Sequence, residues 1–166
     1  MPEIKHLFIS PGHNFFGHHG KPPGDDPMIP VDAVECVAGL GLREDRFFNY
    51  KPDYKGQISF FDWAIYEAML ERYPEETFPP SAFRRNVLLK GVDLNNLIGQ
   101  AFSLDGIQFL GTEECRPCYW MDRAVGEGAE TALRGRGGLR ARILSNGTLR
   151  TGFVQVSIPG GLSLSE

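Results

Sequence analysis

Ala101-Phe102-Ser103-Leu104-Asp105-Gly106-Ile107-Gln108-Phe109-Leu110-Gly111-Thr112 is the stretch that decides the fold class. Apolar residues alternate on both sides of Asp105-Gly106, which is the side-chain period of a half-buried strand. Asp-Gly tolerates the positive φ angles that a two-residue hairpin turn requires. The spacing therefore predicts strands over 101–104 and 107–112. Residues 139–144 and 148–156 flank Asn146-Gly147 in the same way and predict a second hairpin. Working outward, residues 4–10, 31–38, 57–60 and 86–90 read as further short strands, and Gly39-Leu40-Gly41 breaks the second of them. One long helix is expected. Ser59 can cap it with Asp62 three residues on, and Trp63, Tyr66, Met69, Leu70 and Tyr73 recur at helical spacing until Pro74. That stripe reads as core. Residues 93–99 predict a turn or short helix, and 121–134 a polar helix. The sum is a β-rich chain, mainly β with a few helices (α+β), forming a single domain over 1–166. Its simplest architecture is a closed or partly closed barrel.

Composition narrows the class. At 166 residues the chain can bury a real core. Hydrophobic content of 42% and charged content of 23% fit a soluble globular protein. No apolar run approaches the roughly 18 residues of a membrane span, and Met1-Pro2-Glu3-Ile4-Lys5-His6 lacks the start of a signal peptide. Three cysteines suggest no disulfide framework, so a reducing, cytoplasmic setting is expected, with no membrane partner. A net charge of -4 argues against general nucleic-acid binding. The charge is uneven, however. Residues 84–150 carry 10 Lys/Arg against 7 Asp/Glu, and nine of those ten bases are arginine. Arginine pairs with carboxylates and phosphates through two parallel hydrogen bonds.

The chemistry centres on Cys115-Arg116-Pro117-Cys118 and, some twenty residues later, Gly135-Arg136-Gly137-Gly138. Pro117 restricts Arg116 and stiffens the approach to Cys118. Nearby guanidinium groups favour a thiolate, the form that attacks electrophiles and binds metals. The Arg/Gly segment suits an anion such as a phosphate. A structural zinc would need two more ligands, which only His13, His18 and His19 could supply from a distant loop. A thioredoxin-like site wants the cysteine pair opening a helix, and the hairpin context argues against that. Cys118 is the expected functional thiol. Cys36, in an apolar strand, is expected to be a small buried hydrophobe. Asp45-Arg46 reads as a salt bridge, and at least one of Arg84 and Arg85 can reach a cleft.

These residues resemble a known family. Gly41-Leu42-x-x-Asp45-Arg46, Gln57-Ile58-Ser59, Arg84-Arg85-Asn86, Gly91-Val92-Asp93-Leu94 with Leu97-Ile98-Gly99, Pro117-Cys118, the run from Gly135 to Leu144, and Gly147 with Gly152 stand in the order and spacing of the MOSC domain. That domain forms the C-terminus of molybdenum cofactor sulfurases. The match runs over about 31–156. The resemblance implies a β-rich, barrel-like fold and binding of the molybdenum cofactor (molybdopterin). It implies that Cys118 carries sulfur as a persulfide or ligates molybdenum. It also implies that Arg46, Arg84, Arg85, Asn86, Arg116, Arg136, Gly137, Gly138 and Arg140 line the cofactor site. The expected reaction is sulfur transfer, supplied by a sulfur donor such as a cysteine desulfurase. The alternatives are molybdenum-dependent reduction of N-hydroxylated substrates, fed by an electron-donor protein, and a non-enzymatic cofactor carrier. No lysine-bearing desulfurase domain is present, so pyridoxal phosphate is not expected. Glu44 stands where the family usually has glycine, so a positive φ is not expected there.

Overall fold

The computed structural model describes residues 1–12 and 26–159. The histidine loop, with His13, His18 and His19, lies outside the described residues. In chain order the strands are β1 (Glu3–Ile9), β2 (Ile29–Val31), β3 (Ala33–Val37), β4 (Gly41–Leu42), β5 (Ile58–Asp62), β6 (Val87–Lys90), β7 (Ala101–Leu104), β8 (Ile107–Glu114), β9 (Leu139–Ile143), β10 (Gly147–Arg150), β11 (Gly152–Phe153) and β12 (Val156–Ser157). The helices are α1 (Trp63–Arg72), α2 (Met121–Ala124) and α3 (Ala129–Ala132), and single 3-10 turns occupy Pro80–Phe83 and Leu94–Leu97. None of these helices is long and apolar enough to cross a membrane.

The large sheet runs β11-β1-β6-β5-β9-β8-β7-β12, with β2 also paired to β1, and a small sheet runs β10-β3-β4. Neither sheet closes into a barrel, which corrects the closed form of the expected architecture. The reason lies at the C-terminal end of the chain. β11 and β12 form opposite ends of the large sheet, yet only Val154 and Gln155 separate them. The sheet curls until its two ends lie within a few residues of each other. They are then joined by the covalent chain instead of a ladder of hydrogen bonds.

Alternation along the strands builds two cores. Phe60 packs with Phe102 and Phe109 in a cluster with Ile4, Leu7, Val87, Leu89, Leu139 and Ala141. The next residue, Phe61, points the other way and stacks on Phe83 with ring centroids 4.2 Å apart. That second cluster holds Phe8, Leu88, Tyr66 and Met69, and it seats α1, α2 and α3 on the sheet. In β1 a register shift between Ile4 and His6 reverses the parity, so Ile4, Leu7 and Ile9 all reach the first core.

Local readings hold where a turn motif acts alone. Asp105 (φ 48°) and Gly106 (φ 84°) make the expected turn between β7 and β8. Asn146-Gly147 does not make a β9–β10 hairpin. Both edges of β9 are taken, by β5 and β8, so β10 pairs with β3, and Asn146 accepts a bond from the Ala38 amide. Ser59 does not cap α1. It lies within β5, and Asp62 is the cap, accepting from the Ala64 amide at 2.9 Å. The strand expected over 31–38 is preceded by a short strand, β2 (Ile29–Val31), and residues 121–134 form two short helices in place of one. Glu44 adopts φ 67° despite its side chain, so the turn after β4 keeps a left-handed residue where glycine was expected to be required.

Replacing Phe60 by alanine should cost about 3–5 kcal/mol, as a large cavity in a filled core does. Phe153 is 68% exposed, and its replacement by alanine should change stability by less than about 0.5 kcal/mol. Urea unfolding measures both, and equal losses would place Phe60 outside the core.

Candidate functional site

The centre of the site is a polar node at the ends of β1, β5 and β6. Asp45 is almost fully buried. Its Oδ1 accepts from the Ser10 amide at 3.0 Å, from Asn86 Nδ2 at 3.2 Å and from Arg46 Nη1 at 3.2 Å, and its Oδ2 accepts from the Phe47 amide at 3.2 Å. Asn86 donates its second amide proton to the Phe8 carbonyl, and its Oδ1 accepts from the Ser59 amide and hydroxyl. The Asp45-Arg46 salt bridge expected from the sequence is present and is largely shielded from water.

The adjacent arginines bind backbone. Arg84 donates to the Asp26 and Gly12 carbonyls and to the Ser10 hydroxyl, and Arg46 donates to the Arg84 carbonyl. Arg85 is buried and donates to three carbonyls, those of Phe83 at 2.6 Å, Gly137 at 3.1 Å and Cys115 at 3.1 Å. The glycines answer the same need. A Cβ on Gly137 would strike the Cys115 carbonyl and Pro117, and one on Gly138 would strike the Phe60 carbonyl. These two glycines let chain approach chain; the room they leave is already filled by protein. The Cys115 amide donates to the Gly138 carbonyl at 2.8 Å. Cys115 is thus pinned at both its amide and its carbonyl.

Arg140 lies on β9, beside Ser59 on β5 and Glu113 on β8. Its guanidinium is 3.6 Å from Glu113, which Lys55 also holds at 2.8 Å. Burial opposes the Arg140 charge, but the Cys115 thiol, by charge and hydrogen bonding, together with Tyr54 and Glu113, outweighs it and holds the guanidinium above its ordinary pKa. Arg46 feels the same sulfur. Burial and then the Arg85 charge depress it, while Asp45, Cys115 and Tyr54 oppose them. Burial, and then Arg46, brings Arg84 down to about 10, which leaves it protonated at neutral pH. Burial raises the Tyr54 phenol against the pull of Arg140, so it stays a neutral donor near pH 7. Lys55, by hydrogen bonding, holds Glu113 below the usual carboxylate range.

The structure thus brings together seven of the residues expected at the site, Arg46, Arg84, Arg85, Asn86, Gly137, Gly138 and Arg140. Cys115 joins them, although the sequence reading subordinated it to Cys118. Its signal lies in the pairing of β8 with β9, which no local motif announces. Cys118 is partly exposed in the turn entering α2, where its carbonyl accepts from the Met121 amide at 2.9 Å. Arg116 is exposed. Arg136 is also exposed; its Nε donates to the Ala132 carbonyl, and it lines an open cleft with Asp62, Asp93, Asn95 and Gly138. Tyr54, Ser59 and Glu113 enter the site without a sequence motif to mark them.

Asn86→Ala should cost about 3 kcal/mol in urea unfolding, because Asp45, the Phe8 carbonyl and Ser59 all lose partners. A loss as small as that of exposed Arg134→Ala would show the node to be dispensable. Cys36 is fully buried, and burial pushes its thiol up to about 12. The stability drawn from its neutral form is complete below the ordinary thiol range near pH 8.5 and declines as pH rises toward about 12. At pH 8 an alkylating reagent should modify Cys36 only after urea unfolds the chain. Labelling of Cys36 in the native protein would contradict this.

A family model for the MOSC domain matches residues 18–157. No curated protein matches the sequence. Among solved structures the chain is similar to the YuaD protein from Bacillus subtilis, with a TM-score of 0.70 and 18% identity over 95% of this chain and 96% of that one. It is also similar to YiiM from Geobacillus stearothermophilus, with a TM-score of 0.67 and 16% identity over 99% of this chain and 80% of that one. YiiM from Escherichia coli gives 0.66 and 16% over 100% and 75%. At such identities these structures speak for the fold alone. The family match covers most of the chain: the chain belongs to the MOSC domain family.

Proposed function

We propose that this MOSC domain binds the molybdenum cofactor and handles sulfur through the thiols of Cys115-Arg116-Pro117-Cys118. The observation that supports it is the gathering of Arg46, Arg84, Arg85 and Arg140 around buried Cys115, with Asp45 as their buried carboxylate. Lys55 and Glu113 stand at the exposed edge. A bound anionic ligand would offset the excess of positive charge.

The donor set favours a ligand that brings its own metal shell. No group of three or more His, Cys, Asp or Glu among the described residues could cage an ion. A soft thiol beside guanidinium forks fits a sulfur-rich, phosphorylated group instead. When bound, the cofactor supplies a redox-active metal with sulfur ligands. The chain's own residues do the rest. A cysteine of the pair is the protein's sulfur ligand or carrier, Arg140 and Arg46 hold anionic charge, and Tyr54 offers a neutral hydroxyl. Arg85 fixes the Cys115 backbone so that the sulfur keeps its place. The partner would be a sulfur donor of the cysteine desulfurase class or an electron-donor protein.

Protein made in a cofactor-producing host should carry molybdenum and pterin in matching amounts. Arg140→Met should reduce both at least about tenfold, the effect of one lost charge-assisted hydrogen bond of about 1.5–3 kcal/mol. Circular dichroism should be unchanged. A wild-type protein that carries neither metal nor pterin, or an Arg140→Met protein that retains both, would overturn the proposal.

A further inference from the structure

We infer that the two thiols act in series: a sulfane sulfur arrives at Cys118, on the surface, and passes to Cys115, inside the arginine site. This rests on the reading of the domain as a sulfur-handling one. The two cysteines differ in each property that matters for such a step. Cys115 is 7% exposed, so a macromolecular donor cannot reach its sulfur directly. Cys118 is partly exposed and stands between exposed Arg116 and 43%-exposed Tyr119, open to a donor. Cys115 is held at its amide by the Gly138 carbonyl and at its carbonyl by Arg85. Among the described residues Cys118 has a hydrogen bond only through its carbonyl, to Met121.

The chain spacing permits the transfer. Arg116 and Pro117 are the only residues between the two, and three peptide units span at most about 10 Å between Cα atoms. Two thiol side chains turned toward each other would close that distance. The direction follows from exposure. A donor outside the protein meets partly exposed Cys118 first, and buried Cys115 stands further in, beside Arg85.

The step balances without an oxidant. Cys118 first attacks the outer sulfur of a persulfide donor, R–S–SH; the donor's S–S bond breaks as the new one forms, the donor leaves as the thiol R–SH, and Cys118 becomes Cys118–S–SH. The Cys115 thiolate attacks the outer sulfur; the new S–S bond forms as the bond from Cys118 Sγ to that sulfur breaks. The products are Cys115–S–SH and a Cys118 thiolate, which takes a proton from solvent. One sulfane sulfur moves, and the number of S–S bonds is unchanged.

The test uses the full chain and glutathione persulfide as donor, with rapid alkylation and fragment-ion mass spectrometry to locate the sulfane sulfur. In the wild type the label should appear first on Cys118 and then on Cys115. Cys115→Ser should leave it on Cys118, and Cys118→Ser should slow loading of Cys115 at least tenfold. Circular dichroism checks the fold of both, and the order of labelling in the wild type needs no variant at all. Loading of Cys115 at an unchanged rate in Cys118→Ser overturns the relay. So does release of sulfide with a Cys115–Cys118 disulfide, which would mean attack at the inner sulfur. If neither thiol of the wild type accepts sulfane sulfur, the sulfur-handling reading itself falls; loading in another order sinks only the relay.

Discussion

Four bonds to the carboxylate of Asp45 anchor the site. A buried carboxylate is tolerated only when its charge and lone pairs are met. Here Ser10, Phe47, Asn86 and Arg46 meet them. The four donors come from three separate stretches of chain, so satisfying one charge ties the end of β1, the turn after β4 and the entry to β6 together. Asn86 extends the tie to Ser59 in the middle of β5. The parallel pairing of β5 with β6 begins immediately beyond it, at Phe60 and Val87.

Arg85 carries the same logic outward. Its guanidinium is buried without a carboxylate of its own and is satisfied by three carbonyls that no sheet ladder uses. Carbonyl dipoles meet its hydrogen bonds but only part of its charge. The site gathers positive charge as a consequence of how it is built, because the groups that hold its loops in place are arginines. The Cys115 backbone is fixed by one of them, Arg85. Positioning and electrostatics therefore come from one side chain, and Gly137 and Gly138 allow it by letting the two loops meet without side chains between them.

The C-x-x-C segment then spans two environments over a few residues. Its first cysteine ends a central strand and is packed against β9. Its second stands in a turn at the protein surface. Rigid burial suits a group that must hold a reactive atom in place, and partial exposure suits one that must meet a partner.

Much of this was legible in the amino-acid order. Alternation around Asp105-Gly106, the Tyr66 and Met69 face of α1, the burial of Cys36 and the Asp45-Arg46 pair follow from interactions between near neighbours. So does the family, whose motifs keep their order whatever the fold does with them. Leu70, expected in the core stripe of α1, is exposed. Tertiary structure decided the rest, because each remaining outcome depends on a competitor distant in sequence. Asn146-Gly147 could not close a hairpin once β5 and β8 had claimed both edges of β9. Ser59 could not cap a helix while Asn86 held it in a strand. Glu44 took a left-handed conformation in a turn tied down by Asp45. Cys115, not Cys118, came to lie among the arginines because β8 pairs with β9, which begins 25 residues after β8 ends. Local sequence specifies what a segment can do; which of those options is realised depends on which long-range hydrogen bonds and buried charges are satisfied first.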